Sequence, residues 1–483
     1  MSAADKADHW GCTDRRIEIC EPKKISAWLK FDFPGRERED LKYSPFKWRA
    51  EHFNGTDWDQ SRKKNAIYKL ISDPATYSKP PLQQPQTSWL MARLGKFARR
   101  RSSGGRIKAP ARPPPQKRPG KGWADDVDDL HGNSDYLMFS NVDYTHADVR
   151  KDVLDWGRWM VEDTGVDGFR LDAVQHFSYN FTREWIQHVQ SVSDRRRKKP
   201  AFVVGEIWTN ETPRITKWLD AVGQSTYAYD SPLLYNFSRI SEDVRTGSPN
   251  ADLRTVVSDS LLSTRPENAV TLVTNHDTQP GQTSYTPMLA ELKPLWYAFI
   301  LLRLEGYPCV FWGDLHGTHG PRAERPGCLV DDGRGGMRSV LPDLMLARRL
   351  FAYGEQKDYW DAQSCIAFTR AGQEGARSSG CVTIMSIGPR FVETKTKPGM
   401  APRTGTEDQE VKEVNWTVKK MPFGKPGEVY VDVIGDTGER AEVTIDQDGC
   451  GVFPCRGRSV GVFVRKDADG VERFPVDFAW SVY

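Results

Sequence analysis

Apolar and polar positions divide the chain into stretches of different rhythm. From Trp123 to about Tyr353, short apolar runs alternate with amphipathic segments. Residues 148–165 (DVRKDVLDWGRWMVEDTG) place apolar side chains at 149, 153, 156, 159 and 160, the spacing of one helical face. VDGFRLDAVQH (166–176) then reads as a strand running into a loop, 181–193 as a second helix and AFVVGEIW (201–208) as a second strand. A third strand is predicted at AVTLVTNHDT (269–278), a helix at 292–306 and a fourth strand at YPCVFWGD (307–314). Such alternation predicts a mostly parallel α/β domain. Beyond about residue 395 the pattern becomes short alternating strands between Gly and Asp turns, which predicts an antiparallel β domain.

The first 75 residues are rich in aromatics, charges and turn signals, and read as an irregular strand-and-loop region. Residues 76–121 differ again: Pro and Arg dominate and branched apolar residues almost vanish, so no core can form there. That segment also changes the meaning of the net charge. The 68 Lys and Arg against 65 Asp and Glu give +3, but Met91–Lys121 holds 11 basic residues and no acid, leaving the remainder at −8. The basic run lacks interleaved aromatics, so no specific nucleic-acid partner is expected.

The first residues carry no apolar run of the signal-peptide kind, and no window approaches 18 uninterrupted apolar residues. The eight cysteines (12, 20, 309, 328, 365, 381, 450 and 455) match no zinc or disulfide framework, although Cys450 and Cys455 could approach each other in a Gly-rich turn. A cytoplasmic protein is expected, with its Asn-x-Ser/Thr sites (Asn54, Asn180, Asn210, Asn236 and Asn415) unused.

Charged residues fall where the apolar runs stop: Arg170 and Asp172, Glu206, then His276 and Asp277. Strand ends of a β/α barrel are where chemistry is expected. Two carboxyl groups suffice to break an acetal, one protonating the leaving oxygen and one attacking or activating water, and a third can hold the distorted sugar. Neighbouring like charges keep one of the acids protonated near neutrality. Solvated acids at strand termini would give the same pattern.

GFRLDAVQH (168–176), VGEIW (204–208) and VTNHDT (273–278) occur in order and resemble conserved regions of the α-amylase family, glycoside hydrolase family 13. AWLKFDFPGR, HFNGTDWD, GNSDYLMFSNVDYTHADV, TQPGQ and LFAYGEQKDYW are similar to bacterial liquefying and intracellular fungal members. The resemblance implies a (β/α)8 TIM-barrel type fold with an irregular β-rich inserted domain and a C-terminal antiparallel β-sandwich. It assigns 1–135 to the inserted domain, with 76–121 an insertion within it, 136–394 to the barrel and 395–483 to the sandwich. It also implies that the first three β/α units are absent, because the D-x-x-x-N-H region is not found. The 76–121 stretch reads as a disordered insertion or as translated non-coding sequence.

By the same resemblance, Asp172 is expected as nucleophile, Glu206 as general acid and base, and Asp277 as the group that binds the sugar and stabilises the transition state. Arg170 would orient Asp172, and His276 would bond the same sugar. Gln175, where bacterial relatives carry Lys, and His176 would border the leaving-group side, and Trp208 could stack on a ring. A structural Ca²⁺ would lie on Asp135, Asn141, Asp143 and the His176 carbonyl, with Asn141 standing where a carboxylate is usual. The expected activity is retaining endo-hydrolysis of α-1,4-glucans by a monomer, with no membrane partner. α-Glucanotransfer with the same carboxylates and an inactive glucan-binding fragment are the alternatives.

Overall fold

The computed structural model describes residues 23–31, 45–71, 123–130, 132–320, 322–331, 336–375, 379–393, 412–435 and 440–478, and structural statements below refer to these. The 76–121 insertion, Cys12 and Cys20 lie outside them. Contacts divide the chain into two units: a smaller one running to Met160 and taking in His176–Phe181, and a larger one holding Val161–Gln175 and everything from Thr182 onward.

In the smaller unit, β1 (Phe53–Asp59) and β2 (Lys64–Lys69) form a hairpin, and β3 (Ser140–Val142) pairs with the other side of β1, all antiparallel. Buried Asp59 closes the hairpin by accepting from Ser61 N (3.0 Å), Ser61 Oγ (2.6 Å) and Arg62 Nη1 (2.8 Å). Gly55 sits where a Cβ would lie 2.5 Å from the Trp123 ring, so only glycine lets that indole lie on the strand. The β3–β1 pairing carries the inserted region past the boundary expected at residue 135.

The larger unit is built on a five-stranded parallel sheet. Its strands are β4 (Gly168–Leu171), β5 (Phe202–Gly205), β6 (Tyr227–Tyr229), β7 (Ala269–Leu272) and β8 (Tyr307–Cys309), adjacent in chain order. Four of them and the helices between them follow the predicted alternation. Strand β6 and the helices Thr212–Val222 and Ser231–Thr246 are additions. β6 is silent in the sequence because it has only Ala228 between two tyrosines and no run of branched apolar residues. Among the described residues β4 pairs only with β5 and β8 only with β7, so the sheet is an open half-barrel, as the absence of three units implies.

The helix Lys293–Leu302 is buried on every side. It packs against strands of both the parallel sheet and the C-terminal β domain, which explains why its sequence is apolar all round. Arg370 caps its C-terminal end by donating from Nη1 to Leu302 O at 3.0 Å.

The β domain opens earlier than the expected residue 395. A hairpin of β9 (Leu329–Asp331) and β10 (Met337–Ser339) precedes it. Then β11 (Gln356–Ala362), β12 (Cys365–Arg370) and β13 (Cys381–Ser386) already belong to its main sheet. Every residue of β12 and β13 is buried, so these central strands lack the alternation that marks a half-exposed strand. After β14 (Phe391–Glu393), β15 (Lys412–Val414) and β16 (Trp416–Pro422) come β17 (Val429–Asp432), β18 (Glu442–Thr444), β19 (Cys450–Arg456) and β20 (Ser459–Arg465). The main sheet runs β11-β12-β13-β20-β17-β18, fully antiparallel. Its inner face, including Ile384 and Phe463, packs on Met421, Phe453 and Cys455 of the β16–β19 ribbon to form the sandwich core. Cys450 and Cys455 both lie on β19, five positions apart and so on opposite faces, and both are free thiols.

Candidate active site

Three charged residues meet where β4 and β5 end. Leu171 pairs with Gly205, so the next residue of each strand, Asp172 and Glu206, emerges at the same level of the sheet. Two backbone bonds fix that exit: Glu206 N–H donates to Leu171 O (2.9 Å) and Val174 N–H to Glu206 O (3.0 Å). Gly205 is required because a Cβ there would lie 2.3 Å from the Trp218 ring.

Arg170 bridges the two acids. Its Nη1 is 2.9 Å from Asp172 Oδ1 and its Nη2 2.9 Å from Glu206 Oε2, while Ala173 N–H donates to the same Oε2 at 3.2 Å. The acids occupy different environments: the Asp172 side chain is 69% exposed and that of Glu206 only 10%. Burial, and then a hydrogen bond with the Asp172 carboxyl, push Glu206 up to about 7, against the opposing pull of Arg170 and the Ala173 N–H. Arg170 was expected to serve Asp172 alone; here it serves both.

Asp277 and His276 lie beyond β7, with His276 Nε2 3.2 Å from Asp277 Oδ2. Their turn is set by Asn275, whose Oδ1 accepts from Asp277 N (3.0 Å) and Thr278 N (2.9 Å). Among the described residues no hydrogen bond or ion pair joins this pair to the Arg170 cluster. Gln175 has a buried Oε1 without a hydrogen-bond partner. Trp208 is half-buried and packs edge-on against Tyr235, centroids 6.2 Å apart. Tyr229, the last residue of β6, is close enough to feel both Arg170 and Glu206; burial first, then Cys309, raise its hydroxyl pKa. Neither Tyr229 nor the Ala173 N–H is visible as a candidate in the sequence, since one is neutral and the other belongs to the backbone.

The residues expected to hold calcium belong to the smaller unit, where Asp135, buried to 3%, accepts at Oδ2 from Asn54 Nδ2 (2.8 Å) and Ala124 N (2.9 Å). Asn141 Nδ2 donates in turn to Asn54 Oδ1 (2.7 Å). Asp143 Oδ1 accepts from Thr145 N (2.9 Å) and Thr145 Oγ1 (2.6 Å), and His176 Nδ1 lies 2.5 Å from Ser134 O. Burial raises the Asp135 carboxyl, opposed by Ala124, Asn54 and Asn141. Asp135 and Asp143 lie close enough for the charge of one to raise the other, and two carboxylates beside the Asn141 amide are oxygen donors of the kind calcium takes. Asn54 had drawn notice only as a glycosylation sequence; at 2% exposure it is a buried structural amide.

Comparison with known proteins bears on the whole arrangement. The α-amylase catalytic-domain family model matches residues 106–333. The chain is 34% identical to the α-amylase of Geobacillus stearothermophilus over 94% of its own length and 65% of that protein. It is 33% identical to the α-amylase of Bacillus licheniformis (94% and 70%) and 32% identical to the cytoplasmic α-amylase of Escherichia coli (93% and 73%). It thus spans about two thirds of the length of these relatives. With strand ends, carboxylates and relatives in agreement, the chain belongs to the α-amylase family.

Proposed function

We propose that this site performs retaining endo-hydrolysis of α-1,4-glucosidic bonds in starch- or glycogen-type glucans. The observation that carries the reading is Arg170 joining an exposed Asp172 to a buried Glu206 whose carboxyl is pushed up to about 7. A group with that value is largely protonated below neutrality and can give its proton to the glycosidic oxygen as the C1–O bond breaks. Asp172, ion-paired and open to solvent, supplies the carboxylate oxygen that bonds to C1. Glu206, now ionised, then takes a proton from water, whose oxygen displaces Asp172 and restores the α configuration. His276 and Asp277 are suited to hold sugar hydroxyls, and Gln175 Oε1 to accept from one on the leaving-group side.

The six free cysteines among the described residues, four of them buried, suit a reducing compartment such as the cytoplasm, the location in the name of the Escherichia coli relative. Proton NMR of maltoheptaose cleavage tests the stereochemistry. The α-anomer of the new reducing end should appear first, and a β-anomer first would rule out Asp172 as nucleophile.

A further inference from the structure

We infer that the larger unit holds a second α-glucan site, in a cavity of about 730 Å³ beside the turn that carries Asp277. The inference rests on the reading of this chain as a glucan hydrolase. The cavity is walled by residues between 274 and 293 after β7, by 324–330 and Met337 after β8, and by 390–391 and 456–457 of the sandwich. Its volume is that of a small-molecule site, roughly 300–1,000 Å³. None of Arg170, Asp172, Glu206, His276 and Asp277 lines it, so it is a place apart from the carboxylates.

The lining suits a neutral ring bearing hydroxyls. Tyr285, Met337 and Phe391 are half-exposed there, and the negative face of an aromatic ring attracts the C–H groups of a pyranose. Charges of both signs accompany them. Glu291 accepts from Arg458 Nη1 at 2.6 Å, with Arg390 Nε 3.8 Å from its other oxygen. Glu324 and Arg325 are exposed, and among the described residues their side chains form no hydrogen bond or ion pair. An anion would meet two carboxylates and a cation four basic groups, whereas sugar hydroxyls both donate and accept. A buried ion pair holds the floor: Lys293 Nζ lies 2.6 Å from Asp314 Oδ1, and Tyr297 OH donates to Asp314 Oδ2 at 2.6 Å. Thr274 and Thr278 line one wall and bracket His276 and Asp277, Thr278 Oγ1 accepting from Asn275 N at 2.9 Å. One loop thus carries Asp277 and, further on, Tyr285. A polymer anchored in the cavity is kept at raised effective concentration near the carboxylates.

The test is retention of the full chain in native gels cast with and without glycogen, using Asp172→Asn so that the polysaccharide survives. Adding Tyr285→Ala/Phe391→Ala should weaken retention roughly tenfold. No retention of the Asp172→Asn protein, or retention unchanged in the triple variant, would overturn the inference. Should the triple variant fail to fold, Glu324→Gln/Arg325→Ala in the same background decides, with weaker retention expected and unchanged retention contradicting the site. In the otherwise wild-type chain, Tyr285→Ala/Phe391→Ala should raise KM for glycogen and leave kcat/KM for a dinitrophenyl maltoside unchanged; equal losses on both would also overturn it. Retention is read without turnover, so the two readings fail separately. A wild-type chain that cleaves nothing, while retention still falls in the triple variant, would sink the hydrolase and leave the second site standing.

Discussion

At the scale of single residues, the chemistry turns on one arginine shared by two acids. Arg170 holds Asp172 beside Glu206 and lowers the proton affinity that burial and Asp172 give to Glu206. Two outcomes follow. Glu206→Gln should cost roughly 10²–10⁴-fold in kcat on glucans but far less on a dinitrophenyl maltoside, whose leaving group needs no proton; equal losses on both would deny Glu206 the role of acid. The alkaline limb of kcat/KM should fall near pH 7, because the proton donor is lost as pH rises through that value. Since Arg170 favours the ionised form, Arg170→Met should move this limb to higher pH while lowering kcat, and a limb moving downward would contradict the geometry. The charged members of the cluster were legible in sequence because each ends an apolar run. The contribution of the Ala173 N–H was not, nor the hydrogen bond from Asn141 to buried Asn54, since neither backbone groups nor amides break a hydrophobic pattern.

At the scale of elements, strand ends and helix starts are held by buried polar residues. Asp230 follows β6 and caps the helix Ser231–Thr246 through Leu233 N (3.0 Å), while also accepting from Leu261 N (3.0 Å) and Leu262 N (2.7 Å). Burial nevertheless outweighs these three donors and raises its carboxyl to about 6. The native state therefore holds the proton more tightly than the unfolded chain. Its contribution is complete below pH 3.8 and is lost as pH rises through about 6. Asp230→Ala should cost about 2–3 kcal/mol in urea unfolding. Asp230→Asn should cost less and flatten the pH dependence between those values; a steeper dependence in Asp230→Asn would refute the assignment. Asp230 was hidden because its strand, β6, holds no run of branched apolar residues for it to end. The early start of the β domain was hidden for another reason: β12 and β13 are buried on both faces, with Thr369, Arg370, Thr383 and Ser386 inside as well, so neither strand shows the alternation of a half-exposed one.

At the scale of the whole molecule, the alternation of strands and helices made the α/β class legible, the family resemblance implied the half-barrel, and the +3 charge is a composite of an acidic chain and one basic run. Among the described residues, five parallel strands without a partner at either edge carry the three residues of the Arg170 cluster and the His276–Asp277 pair at one set of strand ends. The central claim is that these suffice for glucan hydrolysis by this chain. Reducing-end release and viscosity loss from soluble starch, measured on the purified, folded protein beside Asp172→Asn, test it most directly. Viscosity should fall well ahead of reducing-end release, as internal cleavage requires, and Asp172→Asn should be slower by at least about 10³-fold. Folded wild type with no turnover, or an Asp172→Asn variant as fast as wild type, would contradict it.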